Sequence, residues 1–152
     1  LSFPALLALG GNVVITDLPV NLTSVNALLV RLAALDGTAG TTTYDGHTVT
    51  INGLAVAPGA AGLTAQATLV ARGNTVLVNY GITALNQGAK TFTVVDAQAL
   101  LSGVVGTIDV AGSTGNDGTY TIVSAVAGAG STVITVVEAI PDSTVDGWVV
   151  KP

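Results

Sequence analysis

A chain of 152 residues and 14.9 kDa has room for one ordinary domain or two very small ones, and not for a two-lobed cofactor enzyme. Only 9% of its residues are charged, against roughly 25% in ordinary soluble domains, while 49% are apolar. A folded monomer of this mass exposes roughly 7,000 Å², so much of its surface is expected to meet protein.

Charge narrows the function classes further. The net charge is −5, the pI is near 4.2, and the basic residues are Arg31, Arg72, Lys90 and Lys151, too few and too scattered for a nucleic-acid footprint. A mean hydropathy of +0.71 with so little charge opposes intrinsic disorder. Cysteine and methionine are absent, which removes disulfides, thiolate metal sites and a cysteine nucleophile.

Residues 1–11 are apolar, but lack a basic n-region and are too short to span a bilayer. A chain that opens on Leu1 is expected to be processed, trimmed or internal. The segment reads as a docking arm or buried edge, with Leu1, Phe3, Leu6, Leu7 and Leu9 as its candidate interface residues. Asn12 to Thr16 follows as a short β-branched strand, ended at Asp17-Leu18-Pro19. Thr23 to about Asp36 carries the strong helix signal: Val25, Leu28, Leu29, Leu32 and Leu35 fall at helical spacing, Thr23 or Ser24 can cap the start, and Gly37 supplies the stop.

Beyond Gly37 the pattern becomes punctuated β. Strands are expected at Thr41 to Tyr44 and Thr48 to Ile51, with Asp45-Gly46 and Asn52-Gly53 as hairpin turns. Further strands are expected at Ala65 to Ala71 and Asn74 to Tyr80, turning at Arg72-Gly73. Gly81 to Lys90 loses strand alternation and reads as a linker, dividing an α+β unit at 1–87 from a small β barrel or sandwich at 88–152. In the second half Thr91 to Val95, Thr107 to Val110, Thr119 to Val123, Thr132 to Val137 and Trp148 to Val150 read as strands, with one helical turn at Ala97 to Leu101. The fold class is mainly β, with α+β character in the N-terminal half.

Few residues can carry chemistry. The string Gly112-Ser113-Thr114-Gly115-Asn116-Asp117-Gly118 has clustered glycines that can offer backbone N–H groups to an anion, but lacks the lysine and following helix of a phosphate loop. It reads as a tight structural turn set by Gly112, Gly115, Asn116, Asp117 and Gly118. Asp109, Asn116 and Asp117 offer few carboxylates for a calcium ion. His47 beside Asp45 is the sole histidine and could serve a Ser/His/Asp arrangement only with partners brought from elsewhere; it reads as a turn or interface residue. Glu138 and Asp142, a carboxylate pair of the kind that hydrolyses glycosides, read as solvated turn residues. Asn21-Leu22-Thr23 matches a glycosylation sequon, a triplet frequent by chance in Thr-rich sequence.

Thr91-Phe92-Thr93-Val94, Ile108-Asp109-Val110, GSTGNDGTYTIVSA over Gly112 to Ala125, ITVVEAIPDS over Ile134 to Ser143, and Gly147-Trp148 together resemble a β module of tailed-bacteriophage virion proteins. The resemblance covers Thr91 to Val150 and brings no catalytic residues. It implies a structural role in a virion without choosing the location; the expectation drawn here is a capsid decoration, or cement, protein on the head that stabilises the shell by bridging neighbouring subunits, with a tail, neck or fibre component as the alternative. The expected partners are further copies of the chain, as a trimer that repeats one interface under symmetry to cover a surface so poor in charge, and the major capsid or other virion proteins; Trp148 is a further candidate interface residue. No cofactor, metal, membrane or nucleic acid is expected. A different class, a secreted bacterial surface or filament subunit exchanging its Leu1 to Thr16 strand, also fits.

Overall fold

The computed structural model describes residues 8–16, 22–38, 40–54, 58–96 and 101–150. The protein is mainly β, with two helices among the described residues, and divides into two units. One unit comprises Leu1–Ile51 and Pro58–Leu77, the other Asn52–Ala57 and Val78–Pro152. The division falls inside a strand after Leu77 and not at Gln87, where the sequence places it.

In the first unit β1 (Val13–Ile15) pairs in parallel with β2 (Thr48–Leu54), Val13 opposite Val49 and Ile15 opposite Ile51. Parallel neighbours need a crossover, and α1 (Leu22–Ala33) lies in it. The expected stripe of Val25, Leu28, Leu29, Leu32 and Leu35 is buried, as are Tyr44, Val49 and Ile51. The helix stops before Asp36 because that carboxylate accepts the Thr38 N–H and hydroxyl at 3.0 and 2.6 Å, closing a local turn that competes with further helix. The strand expected at Thr41 to Tyr44 is reduced to a single bridge between Asp36 and Thr43.

The segment expected as a strand from Ala65 is instead α2 (Ala60–Ala71). Alternation of Gln66 and Thr68 with apolar residues imitates a strand, but alanine loses no side-chain entropy in a helix, and Gly62, Ala65 and Leu69 bury one helical face. This helix packs on α1. Gly62 permits the approach: a Cβ there would lie 2.3 Å from Asn26 Oδ1, which accepts the Gly59 N–H at the start of α2. At the other end Arg72 closes α2 and reaches α1, its guanidinium donating to the carbonyls of Leu35, Ala33 and Leu32 at 2.8, 2.9 and 3.3 Å. A cation on the last carbonyls of a helix complements their dipole. Asn52-Gly53 is no hairpin turn; β2 continues to Leu54 with Gly53 at a φ of 67°.

The second unit is a closed six-stranded antiparallel barrel. Its strands are the Val78 to Asn86 part of β3 (Thr75–Asn86), β4 (Thr91–Val95), β5 (Thr107–Ala111), β6 (Gly118–Ala127), β7 (Ser131–Val136) and β8 (Trp148–Val150). Around the ring the order is β3-β4-β7-β6-β5-β8 and back to β3. The expected linker at Gly81 to Lys90 is therefore a strand end and a hairpin turn. Its period-2 signal is lost because β3 changes partner: Tyr80 and Gly81 pair with β8, residues from Ile82 onward pair with β4, and the register shifts between Ile82 and Ala84. Of the helical turn expected at Ala97 to Leu101, residues 97–100 lie outside the described residues, and Leu101 is a buried turn residue.

Inside the barrel Tyr80, Ile82, Phe92, Val94, Ile108, Val110, Tyr120, Ile134, Val136 and Val149 are buried. Each large side chain so removed from water contributes roughly 1.5–3 kcal/mol. Phe92 and Tyr120 meet edge to face at 5.0 Å, a favoured quadrupolar arrangement.

Candidate functional site

The glycine-rich string forms a loop, residues 112–117, between β5 and β6. Gly112 takes a φ of 68°, and the Trp148 ring covers its α-carbon so closely that a Cβ would lie 2.2 Å from it. Ser113 and Thr114 then turn their donors onto one carboxylate. Asp146 accepts from the Ser113 hydroxyl at 2.7 Å, the Thr114 N–H at 3.0 Å and the Thr114 hydroxyl. The Ser113 N–H itself donates to Asp117 at 2.7 Å. Asn116 is buried: its Oδ1 accepts the Asp142 N–H at 2.9 Å, and its carbonyl accepts the Tyr120 hydroxyl at 2.9 Å. Gly115 lets Asp142 approach, since a Cβ there would meet the Asp142 Cβ at 2.7 Å. Gly118 opens β6 at a φ of 156°, which disfavours a side chain through the backbone and not through crowding, since the nearest atom to a Cβ is in the Tyr120 ring at 3.9 Å.

This loop is chemically self-satisfied. The Ser113 and Thr114 N–H groups that could cradle a phosphate are already occupied by the carboxylates of Asp117 and Asp146. The oxygens proposed for calcium do not converge: Asp109 accepts from the Thr119 hydroxyl at 2.6 Å, Asn116 serves Asp142, and Asp117 serves Ser113. Among the described residues no cluster of three or more histidine or acidic side chains is placed to share a metal ion. Hydrogen bonds from Thr114 and Ser113 hold the Asp146 carboxyl below its ordinary pKa. Thr144 does the same for Asp142, and Thr121 for Glu138. Glu138 is taken up by the N–H and hydroxyl of Thr121 on β6, both at 2.7 Å, and Asp142 by the Thr144 N–H at 2.6 Å in a local turn, so each carboxylate of the pair is committed to its own structural donors.

His47 lies in the first unit with its ring 4.9 Å from that of Tyr44, and its backbone N–H donates to Asn74 Oδ1, on a buried side chain, at 3.0 Å. Asp96 is a buried carboxylate in the second unit, accepting the Leu101 N–H at 2.7 Å and the Thr132 hydroxyl at 2.8 Å, which fixes the chain after β4. Of the candidate interface residues, Leu1, Phe3, Leu6 and Leu7 lie outside the described residues. Leu9 is half-buried, two positions before Gly11, whose carbonyl accepts the Tyr44 hydroxyl at 3.0 Å. Trp148 is half-buried and engaged with its own loop. No helix among the described residues is long and apolar enough to cross a membrane.

The surface feature that sequence reading missed is on the barrel's outside. Ladder registers align two rows of four residues across β3, β4, β7 and β6: Ala84, Thr93, Val133 and Val126 in one, Asn86, Thr91, Thr135 and Ser124 in the other. None is charged. Val126 is 61% exposed and Val133 37% exposed, and Val123 and Val137 stand exposed nearby. The signal was present in the alternation of Thr91 to Val94 and Ser131 to Val136, whose buried members are Phe92, Val94, Thr132, Ile134 and Val136; Val95, at the end of β4, is buried as well. No family model, curated protein or solved structure matches the chain.

Proposed function

We propose that this chain is a structural subunit of a tailed-bacteriophage virion, a capsid decoration or cement protein that stabilises the shell by bridging neighbouring capsid subunits. The observation that carries the reading is the contrast between the glycine-rich loop and the barrel's outside. The loop that bears the resemblance spends its donors on its own carboxylates, while four strands of the barrel turn an uncharged face of Val, Thr, Ala, Ser and Asn outward. Such a module is a rigid body that offers surface rather than chemistry. In this reading it performs no catalysis and binds no cofactor. Its effect is mechanical, because each added contact raises the cost of separating capsomers and repetition over a shell multiplies modest contacts. A trimer would repeat one such contact under symmetry.

A second reading, the secreted filament subunit, draws on β1, which stands at the edge of its ladder with Val14 exposed. An edge strand can template pairing with another chain. Gold-labelled antibody against the folded protein, applied to particles from its source, separates the readings. Regular label over the head is the expected result. Label confined to the tail overturns the head placement, and label on cell filaments with none on particles overturns the virion reading.

A further inference from the structure

The end of β2 carries a reactive arrangement that the assembly reading does not use. Asn52 and Gly53 form the one Asn-Gly pair in the sequence, and they lie past Ile51, the last β2 residue in register with β1. Both are half-buried, so water reaches them. Gly53 takes a φ of 67°, a geometry open to glycine, and its missing Cβ leaves the peptide nitrogen uncrowded. The Asn52 Oδ1 accepts a hydrogen bond of 2.7 Å from Nδ2 of Asn79 on β3, and Asn79 is buried. Both asparagines belong to the second unit.

We infer that Asn52 is a site of covalent self-modification, deamidation through a cyclic imide, with Asn79 as the group that activates it. Hydroxide removes the proton from the Gly53 peptide nitrogen, which attacks Asn52 Cγ and opens the Cγ–Oδ1 double bond to an oxyanion. The oxyanion collapses, the Cγ–Nδ2 bond breaks, and Nδ2 leaves as ammonia with a proton taken from water. A five-membered imide remains, closed between Cγ and the Gly53 nitrogen. Water then opens it at either carbonyl, giving aspartate, or an isoaspartate whose main chain runs through the former side chain. Nothing is oxidised or reduced, and the co-reactant is water.

Asn79 acts where the charge appears. Oδ1 carries partial charge in the resting amide and full charge in the tetrahedral intermediate, so a donor already aimed at it binds the intermediate more strongly than the amide. Burial of Asn79 fixes that donor and strengthens its interaction relative to water. The same N–H meets the product carboxylate in a charge-assisted bond. Asn116 is the internal comparison: its Oδ1 also accepts an N–H, from Asp142, but the residue after it is Asp117, whose side chain and negative charge oppose an anionic peptide nitrogen. The product adds one negative charge to a chain of net charge −5. Isoaspartate also adds a main-chain carbon to β2, which displaces Gly53 and Leu54 from the strand's period of two. None of this requires a partner or a virion.

The test incubates the full folded chain at neutral and at mildly alkaline pH and follows residue 52 by peptide mass spectrometry, with enzymatic methylation to report isoaspartate. The expected result is conversion at Asn52 ahead of every other asparagine, into both products, at a rate that rises with hydroxide concentration. Asn79→Leu, which keeps the branched shape and removes the donor, and Asn79→Asp, which puts an acceptor in its place, should each slow conversion about fivefold or more, the worth of one neutral hydrogen bond. In urea, wild type and variants should convert at one rate, since the donor acts only in the fold. An Asn52 that stays intact in the folded chain overturns the inference, as does conversion indifferent to Asn79 in a variant whose circular dichroism matches wild type. If neither variant folds, the wild-type chain decides: conversion slower in the folded state than in urea overturns the inference, because the fold would then protect Asn52 rather than activate it.

Discussion

Replacing Gly112 by alanine puts the loop's construction to a quantitative test. Two costs add at this position. The left-handed φ of 68° costs an L-residue roughly 1–2 kcal/mol relative to glycine. The new methyl would also sit 2.2, 2.3 and 2.9 Å from three carbons of the Trp148 ring. Contacts that short force the indole or the loop to move by about 1 Å, and overpacking of this kind costs about 1–3 kcal/mol. The total, roughly 2–5 kcal/mol, corresponds to a fall in melting temperature of roughly 5–15 °C for a chain of this size. Gly130→Ala is the matched control in the same unit, since Gly130 has a φ of 75° and no atom within 4 Å of a Cβ, so it carries the backbone cost alone. Urea unfolding followed by the emission of Trp148, the only tryptophan, reads stability and the local environment together. If Gly112→Ala is no worse than Gly130→Ala and leaves Trp148 emission unshifted, the ring does not cover Gly112 and the loop is held otherwise.

In the first unit, Arg72→Ala should destabilise by about 2–3 kcal/mol, since three carbonyls at the end of α1 lose a charged donor. Arg72→Lys should recover little of it, because an ammonium cannot reproduce the guanidinium fork; the Asp45 contact at 3.7 Å adds little to either loss. Thermal melts by circular dichroism with a loss below about 0.5 kcal/mol would show that the guanidinium is not the clamp. The alkaline limb offers a separate check. Burial, with the Asp96 charge, pushes the Tyr80 phenol up to about 12 from 10.0, and burial also raises Tyr44 and Tyr120. A folded pKa above the unfolded one gives stability that is complete below pH 10 and declines as pH rises through 12. The part of that decline due to Tyr80 is on the order of 1–2 kcal/mol once solvent screening is allowed for, and Tyr80→Phe should remove it. Phenolate absorbance appearing near pH 10 with the fold intact would contradict the burial of all three rings.

Sequence reading succeeded where one period governed a segment. The stripe from Val25 to Leu35 could bury only as a helix, and Thr91 to Val95, Thr107 to Val110 and Trp148 to Val150 could alternate only as strands. It failed where two demands overlapped. Ala60 to Ala71 is made of small residues whose apolar contrast is too faint to reveal a period, so neighbours and the Gly62 approach to Asn26 decide the helix. Gly81 to Asn86 lost its period because the strand exchanges β8 for β4 partway along, a fact of ring closure that no local window contains.

The same distinction separates the legible from the illegible parts of the candidate site. Gly112, Asn116 and Asp117 announced a turn because turns are written in neighbouring residues. Their anchor, Asp146, lies far along the chain and meets Ser113 and Thr114 only once β5 and β8 pair, Ala111 opposite Trp148. The uncharged outer face is less visible still, because it is assembled from four strands through three ladder registers and is defined by what its eight positions lack. Absence of charge at one position carries no information. Absence at every position of one contiguous face, in a unit whose exposed carboxylates concentrate elsewhere on the ring, is a pattern that only topology makes readable.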